Sequence, residues 1–198
     1  RIAPQLWQEV TPEVMKSLAD TVSPQGVVVI ARRPRAGNGD LWSATETPLV
    51  LVLDRLQDPG NVGTLLRSAE GAGVTAVAVL EGTADPFSPK ALRSSMGSAF
   101  RLPVVTELNG REFLEQARTR GCAVLAADGG GAVSFRRTDW TRPTVLVVGN
   151  EGRGVAQDLL EACDQRVAIP MRGSVESLNV ATAGAVLLFE AARQREGG

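Results

Sequence analysis

The chain contains no histidine. That absence removes the side chain that most often moves protons near neutral pH, and with it the commonest zinc ligand. Cysteine is scarce as well: Cys122 and Cys163 lie far apart, in apolar settings and without metal-ligand spacing. Zinc chemistry and histidine acid–base catalysis are thereby excluded and no metal is expected. Both cysteines read as buried thiols of a reducing cytoplasm. Lysine is nearly missing, Lys16 and Lys90 being the two lysines among 21 basic residues. An arginine fork suits phosphate, so the bias is compatible with a nucleic-acid partner, although genome composition produces the same bias. The formal net charge of −1 denies the chain a global positive field but leaves a local basic patch open. No apolar run approaches the ~18 residues of a membrane span and no signal peptide shows, so no membrane partner and a cytoplasmic location are expected. A chain that opens on Arg1 rather than Met reads as a trimmed or truncated form.

What is present is glycine and apolar sequence. With 198 residues, 43% of them hydrophobic, and 21 glycines, the chain holds one good-sized α/β domain plus a modest extra piece. Residues 1–47 form that extra piece: a short helix over Pro12–Asp20, a strand over Val27–Ile30, then a flexible basic loop, Arg32-Arg-Pro-Arg-Ala-Gly-Asn-Gly39. From Pro48 strands and helices alternate. Leu49-Val-Leu-Val-Leu53 is apolar throughout, as a parallel strand buried on both faces requires. Further strands are expected at 76–80, 104–105, 122–126, 144–148 and 166–169, with helices at 61–72, from Ser88 to Met96, from Asn109 to Gly121, at 155–162 and at 178–194. This is the pattern of an open parallel sheet with helices on both faces.

Ligands of such sheets bind beyond the carboxyl ends of the strands, and three loops there are unusually polar and glycine-rich. In Asp54-Arg-Leu-Gln-Asp-Pro-Gly-Asn-Val-Gly-Thr-Leu-Leu-Arg67, Asn61 can cap the helix, and Arg67 follows one to two turns later. Gly149-Asn-Glu-Gly-Arg-Gly154 follows an apolar strand, with glycines to admit a nucleoside and Glu151 to specify it. In Ile169-Pro-Met-Arg-Gly-Ser-Val-Glu-Ser-Leu-Asn179, the strand stops at Pro170 and Ser177 stands where a helix N-cap belongs. Unpaired N–H groups of the following helix suit a small polar ligand. Taken singly, each loop also fits an ordinary capped helix or glycine turn. Neither a Walker loop nor a full dinucleotide fingerprint is present.

Together and in this order, the loops resemble the SpoU (TrmH-like) branch of the SPOUT methyltransferases. The resemblance rests on Asp58-Pro-Gly-Asn-Val-Gly63 with Arg67 and Gly71-Ala-Gly73, on Val147-Val-Gly-Asn-Glu-Gly152, and on Ile169-Pro-Met171 with Ser177-Leu-Asn179. Leu92–Pro103 resembles the segment that connects these motifs in the family, and the likeness covers about residues 48–194. It implies a SPOUT methyltransferase domain over 48–198, with a trefoil knot in its carboxyl-terminal part. It implies the cofactor S-adenosyl-L-methionine, bound by Ala126, Asp128, Gly149, Asn150, Glu151, Gly152, Ile169, Met171, Ser177 and Leu178. The catalytic set it implies is Asn61, Arg67, Glu151, Ser177 and Asn179. Because a guanidinium stays protonated, Arg67 suits a phosphate-binding and oxyanion-stabilising role better than that of a base.

The implied reaction is methylation of a ribose 2′-hydroxyl in RNA, with 23S ribosomal RNA favoured over transfer RNA. A SPOUT base methyltransferase and a non-catalytic RNA-binding assembly factor are the competing readings. The resemblance further implies a homodimer, to which the small and apolar residues of helix 178–194 are suited, and it makes residues 1–47 the remnant of a ribosomal-protein-like RNA-binding domain plus linker. Candidate RNA contacts are Arg32, Arg33, Arg67 and Arg93, with Arg35, Arg101, Arg136 and Arg137 behind them.

Overall fold

A computed structural model describes residues 3–19, 23 and 25–196. It divides into two compact units, Arg1–Arg33 and Pro34–Gly198. In the first, helix α1 (Pro12–Leu18) starts under Thr11, whose hydroxyl accepts from the Val14 N–H at 3.4 Å, with Pro12 at the first helical position. Asp20, the expected end of this helix, lies outside the described residues. Val27–Ile30 is not a strand. The run is exposed, Ile30 at 93%, and a β-prone segment without a neighbouring strand to pair with does not order as one.

The second unit is built on a seven-stranded sheet. Its strands are β1 (Leu49–Leu53), β2 (Ala76–Leu80), β3 (Val104–Leu108), β4 (Ala123–Ala127), β5 (Val133–Ser134), β6 (Thr144–Val148) and β7 (Gln165–Ala168). They stand in the order β3-β2-β1-β6-β4-β7-β5, and every pairing is parallel. The carboxyl ends of all seven strands therefore lie on one edge. β7 lies between β4 and β5, although residues 128–132 join those two strands directly.

Strand alternation divides the interior into two cores. Leu49, Leu51 and Leu53 face one side with Leu146 and Val148; Val50 and Val52 face the other with Val145 and Val147. The first core is covered by helices α2 (Pro59–Gly71), α4 (Ser98–Arg101) and α7 (Val180–Glu196), the second by α5 (Gly110–Thr119) and α6 (Gln157–Ala162). Helix α3 (Pro89–Ser95) packs on α2. Gly63 permits that contact, since a Cβ there would stand 2.3 Å from the Ala91 carbonyl oxygen. Leu49, Leu51, Leu53, Leu65, Leu146 and Leu187 are fully buried, each such side chain stabilising the fold by about 1.5–3 kcal/mol.

The far end of α7 is anchored through Arg195, which donates to the carbonyls of Thr47, Pro48, Trp140 and Arg142 at 2.7, 3.4, 2.7 and 2.7 Å. Two short elements, β5 and α4, escape the sequence pattern because neither is long enough to show a period.

Candidate active site

The four loops after β1, β4, β6 and β7 share the carboxyl edge of the sheet, and hydrogen bonds between side chains join three of them. α2 begins at Pro59 under Asp58, whose carboxylate accepts from the Gly60 N–H at 3.0 Å and pairs with Lys90 at 2.5 Å. Those bonds, that from Lys90 foremost, hold the Asp58 pKa below its ordinary value. Asn61 is therefore not the cap; Asp58 supplies that acceptor and leaves the Asn61 amide free to reach across the edge. Asn61 Nδ2 donates to Glu151 at 3.1 Å, and its Oδ1 accepts from Asn179 Nδ2, also at 3.1 Å. Glu151 accepts in addition from the backbone N–H groups of Gln57 and Asp58, each at 3.2 Å. Burial opposes ionisation of Glu151, yet the bonds from Asn61 and from the backbone of Glu151, Gln57 and Asp58 prevail and lower its pKa.

The expected cap of α7 also moves. The helix begins at Val180, and Asn179 Oδ1 accepts from the Ala181 and Thr182 N–H groups at 2.9 and 3.3 Å. Ser177 is exposed and lies two residues before that cap. Since Asn179 alone is adjacent to the first helical residue, its short carbonyl arm takes the role assigned to the serine.

The turn after β6 closes on itself, with reciprocal Asn150 and Gly154 backbone bonds at 2.9 and 2.8 Å. Asn150 Oδ1 accepts from Gly152 and Arg153, while its Nδ2 donates to the Arg55 carbonyl at 2.9 Å. Gly149 is required by this closure: a Cβ there would stand 2.1 Å from the Val155 nitrogen and 2.2 Å from the Gly154 carbonyl carbon.

Between these loops and α7 lies a cleft of about 290 Å³, at the small end of the range for small-molecule sites. Of the expected cofactor residues, Asp128, Gly149, Asn150, Glu151, Gly152, Ile169, Met171, Ser177 and Leu178 line it. Ala126 does not. It is fully buried in the second core, and its neighbour Ala127 lines the cleft instead, because adjacent strand residues face opposite sides. Of the expected catalytic set, Asn61, Glu151 and Asn179 meet, and Ser177 lines the cleft beside them.

Arg67 is exposed on α2 and, among the described residues, makes no hydrogen bond to that group. Arg93 is exposed on α3, while Arg32 and Arg33 lie in the amino-terminal unit. Arg101 pairs with Glu70, and Arg136 lies over the Phe135 ring. Cys122 is buried as expected, but Cys163 is only partly so. Burial, then Asp164, pushes the Cys163 thiol up to about 12.

Several contributors were not anticipated from the sequence. Glu176 from the β7 loop and Val180, Ala183 and Leu187 from α7 also line the cleft. Asp54 is 2% exposed, pairs with Arg55 and accepts from the Ala156 N–H at 2.8 Å. A lone acidic residue at the end of an apolar strand was the available signal for it.

An open parallel sheet with a polar, glycine-walled cleft at its carboxyl edge, lined in part by the last helix, defines an α/β ligand-binding domain. Residues 48–189 match the SpoU rRNA Methylase family, and the chain belongs to that family. It is 36% identical over 177 residues to the 23S rRNA (guanosine(2553)-2′-O)-methyltransferase RlmP of Bacillus subtilis, covering 89% of this chain and 68% of the relative. To the 23S rRNA (guanosine-2′-O-)-methyltransferase RlmB of Pseudomonas putida it is 41% identical, over 79% of this chain and 64% of the relative. Among solved structures, the SpoU methyltransferase AviRb from Streptomyces viridochromogenes, in complex with AdoMet, superposes with a TM-score of 0.88 at 33% identity, over 96% of this chain and 73% of that one. The chain spans about two thirds of the length of the curated relatives it matches.

Proposed function

We propose that this chain is an S-adenosylmethionine-dependent RNA methyltransferase acting on a ribose 2′-hydroxyl, with 23S ribosomal RNA as its substrate. The observation that carries this reading is the bonded series Glu151–Asn61–Asn179, which fastens three loops around one cleft in a chain of the SpoU family. The cleft suits the cofactor chemically. Val148, Val167, Ile169 and Leu187 offer apolar surface for an adenosine, and Asp128, Glu151 and Glu176 bring carboxylates to a ligand that carries a sulfonium and an ammonium. Bound there, the cofactor supplies an electrophilic methyl group.

The chain's own part is placement. An in-line transfer needs the hydroxyl oxygen held about 3 Å from the methyl carbon, and positioning of that kind supplies much of an enzyme's acceleration. The Asn61 amide and backbone N–H groups already occupy Glu151, so it serves as the fastener of the cleft wall rather than as a proton acceptor. Arg67 has an exposed guanidinium suited to the phosphate beside the target ribose and to the developing oxyanion.

The relatives' names favour ribosomal RNA over transfer RNA, and ribose over base. Exposed Met96, Phe100 and Phe189 support a homodimer, since large apolar side chains on one helical layer suit a partner surface. The placement of β7 between β4 and β5 supports the expected threading of the carboxyl-terminal chain. The amino-terminal unit, with its short helix and Arg32 and Arg33, is read as part of an RNA-binding domain, and the protein as cytoplasmic.

Titration calorimetry with S-adenosylmethionine, followed by nucleoside mass spectrometry of treated 23S ribosomal RNA, tests the proposal. A 2′-O-methylated nucleoside is expected. A base-methylated product overturns the ribose assignment, and absence of cofactor binding restores the assembly-factor reading.

A further inference from the structure

Another cavity, of about 410 Å³, adjoins the Gly149–Gly154 turn and is lined by Arg55, Gln57, Gly82, Asn150 and Arg153. Within that turn, Arg153 is the residue that does not line the cofactor cleft; it faces this cavity instead. Asn150 lines both.

The cavity's other arginine is held in place with unusual force. Arg55 has a φ of 53°, a left-handed conformation that costs a non-glycine residue energy. Three bonds impose it: the Arg55 N–H donates to Thr83 Oγ1 at 2.8 Å, and its carbonyl accepts from Asn150 Nδ2 at 2.9 Å and Gln57 Nε2 at 3.0 Å. Gly82, beside the Arg55 side chain, has a φ of 81°, which glycine adopts without strain. The guanidinium is then gripped by Asp54, Nε to Oδ1 at 3.0 Å and Nη2 to Oδ2 at 3.2 Å. The Asp54 side chain is 3% exposed and that of Arg55 43% exposed, so the acid is buried while the base stays open to solvent. Asp54 neutralises one guanidinium, and the Arg153 charge remains. A guanidinium immobilised through Nε and Nη2, with its outward Nη N–H groups left to donate beside a second arginine, is a donor set that suits a phosphodiester.

We infer that the Arg55–Arg153 cavity is a phosphate subsite that seats the RNA backbone next to the nucleotide being methylated, with Asp54 as the positioning residue for Arg55. The inference rests on the methyltransferase reading. The Gln57 side chain lines this cavity while its N–H donates to Glu151, so a phosphate here adjoins the wall of the cofactor cleft.

The test compares Arg153→Ala and Arg55→Ala with Arg120→Ala, a control whose arginine lies over Trp42 near the start of β4, at the opposite edge of the sheet. Binding of a 23S ribosomal RNA transcript is measured across a series of salt concentrations, and S-adenosylmethionine binding by calorimetry. Arg153→Ala is expected to weaken RNA binding about tenfold and to flatten the salt dependence by about 0.7 in log–log slope, the value for one lost phosphate contact on a single strand. Cofactor affinity is expected to stay unchanged. Arg153 sits on an exposed turn, so this variant folds even where Arg55→Ala does not. RNA affinity and slope equal to wild type in Arg153→Ala overturn the subsite, as does an equal loss in Arg120→Ala, which reports net charge alone. Wild-type protein that binds no S-adenosylmethionine overturns the methyltransferase reading instead, a result the salt series cannot produce.

Discussion

The side-chain amides of Asn61 and Asn179, 118 residues apart in the chain, are bonded at 3.1 Å, Asn179 donating and Asn61 accepting. Each amide spends its other half elsewhere, Asn61 on Glu151 and Asn179 on the first N–H groups of α7. Two asparagines thus splice the start of the last helix to the turn after β6. An aspartate at either place loses a donor and a leucine loses everything.

Asn61→Ala removes both bonds of that splice. Stability is expected to fall by about 1 kcal/mol, since the group is near the surface, whereas cofactor affinity falls about tenfold because the loops lose their common anchor. Chemical denaturation and calorimetry on the same preparation separate the two effects.

Glu151 gives the site an acid limit. A carboxyl group whose pKa is lowered on folding stabilises the fold above its unfolded pKa, and that contribution disappears as pH falls through the folded value. Glu151 is such a group, lowered from 4.5. Cofactor affinity is therefore expected to hold from neutrality down to the carboxylate range and to drop below it. Glu151→Gln should bind less tightly at neutral pH and show a flatter profile.

Arg67→Ala should leave cofactor affinity near normal and abolish methyl transfer. Its side chain is exposed on α2 and does not line the cofactor cleft. Equal loss of cofactor binding in calorimetry would refute this division of labour.

Two glycines should differ sharply when changed to alanine. At Gly149 the new Cβ meets backbone atoms at 2.1 and 2.2 Å, and about 3 kcal/mol of destabilisation is expected. At Gly184 it meets Leu65 Cδ2 at 2.4 Å, the end of a side chain that can turn aside, so the cost should be about 1 kcal/mol. Thermal melts of the two variants rank them.

Neither cysteine should react with iodoacetamide in the native protein at pH 8. Burial raises both thiols, Cys163 to about 12, which leaves almost no thiolate. Labelling should appear only on unfolding.

The sheet was legible because parallel strands buried on both faces leave short unbroken apolar runs such as Leu49–Leu53, bounded by turn residues. The site was legible in its loops but not in its wiring. Asn61, Glu151 and Asn179 could be named from sequence, yet that they bond to one another depends on an edge assembled from residues about a hundred positions apart. Ala126 lies outside the cleft lining for a different reason: a one-residue shift along a strand reverses the face, and no local composition distinguishes Ala126 from Ala127. Val27–Ile30 has strand composition, but composition does not supply a neighbour. Asp54 and Arg55 lie in a loop as expected, but the strained φ of one and the buried carboxylate of the other become visible only once Thr83, Asn150 and Ala156 have been brought beside them.

The position of β7 sets a schedule for the molecule. The sheet from β3 through β4 can pair from residues translated earlier, but Ile169–Leu178 and α7, which supply one wall of the cleft, follow the strand that must enter between β4 and β5. A nascent chain halted before Gln165 therefore has most of its sheet and no cofactor cleft. The capacity to bind a methyl donor is withheld until the last part of the domain has been made and seated.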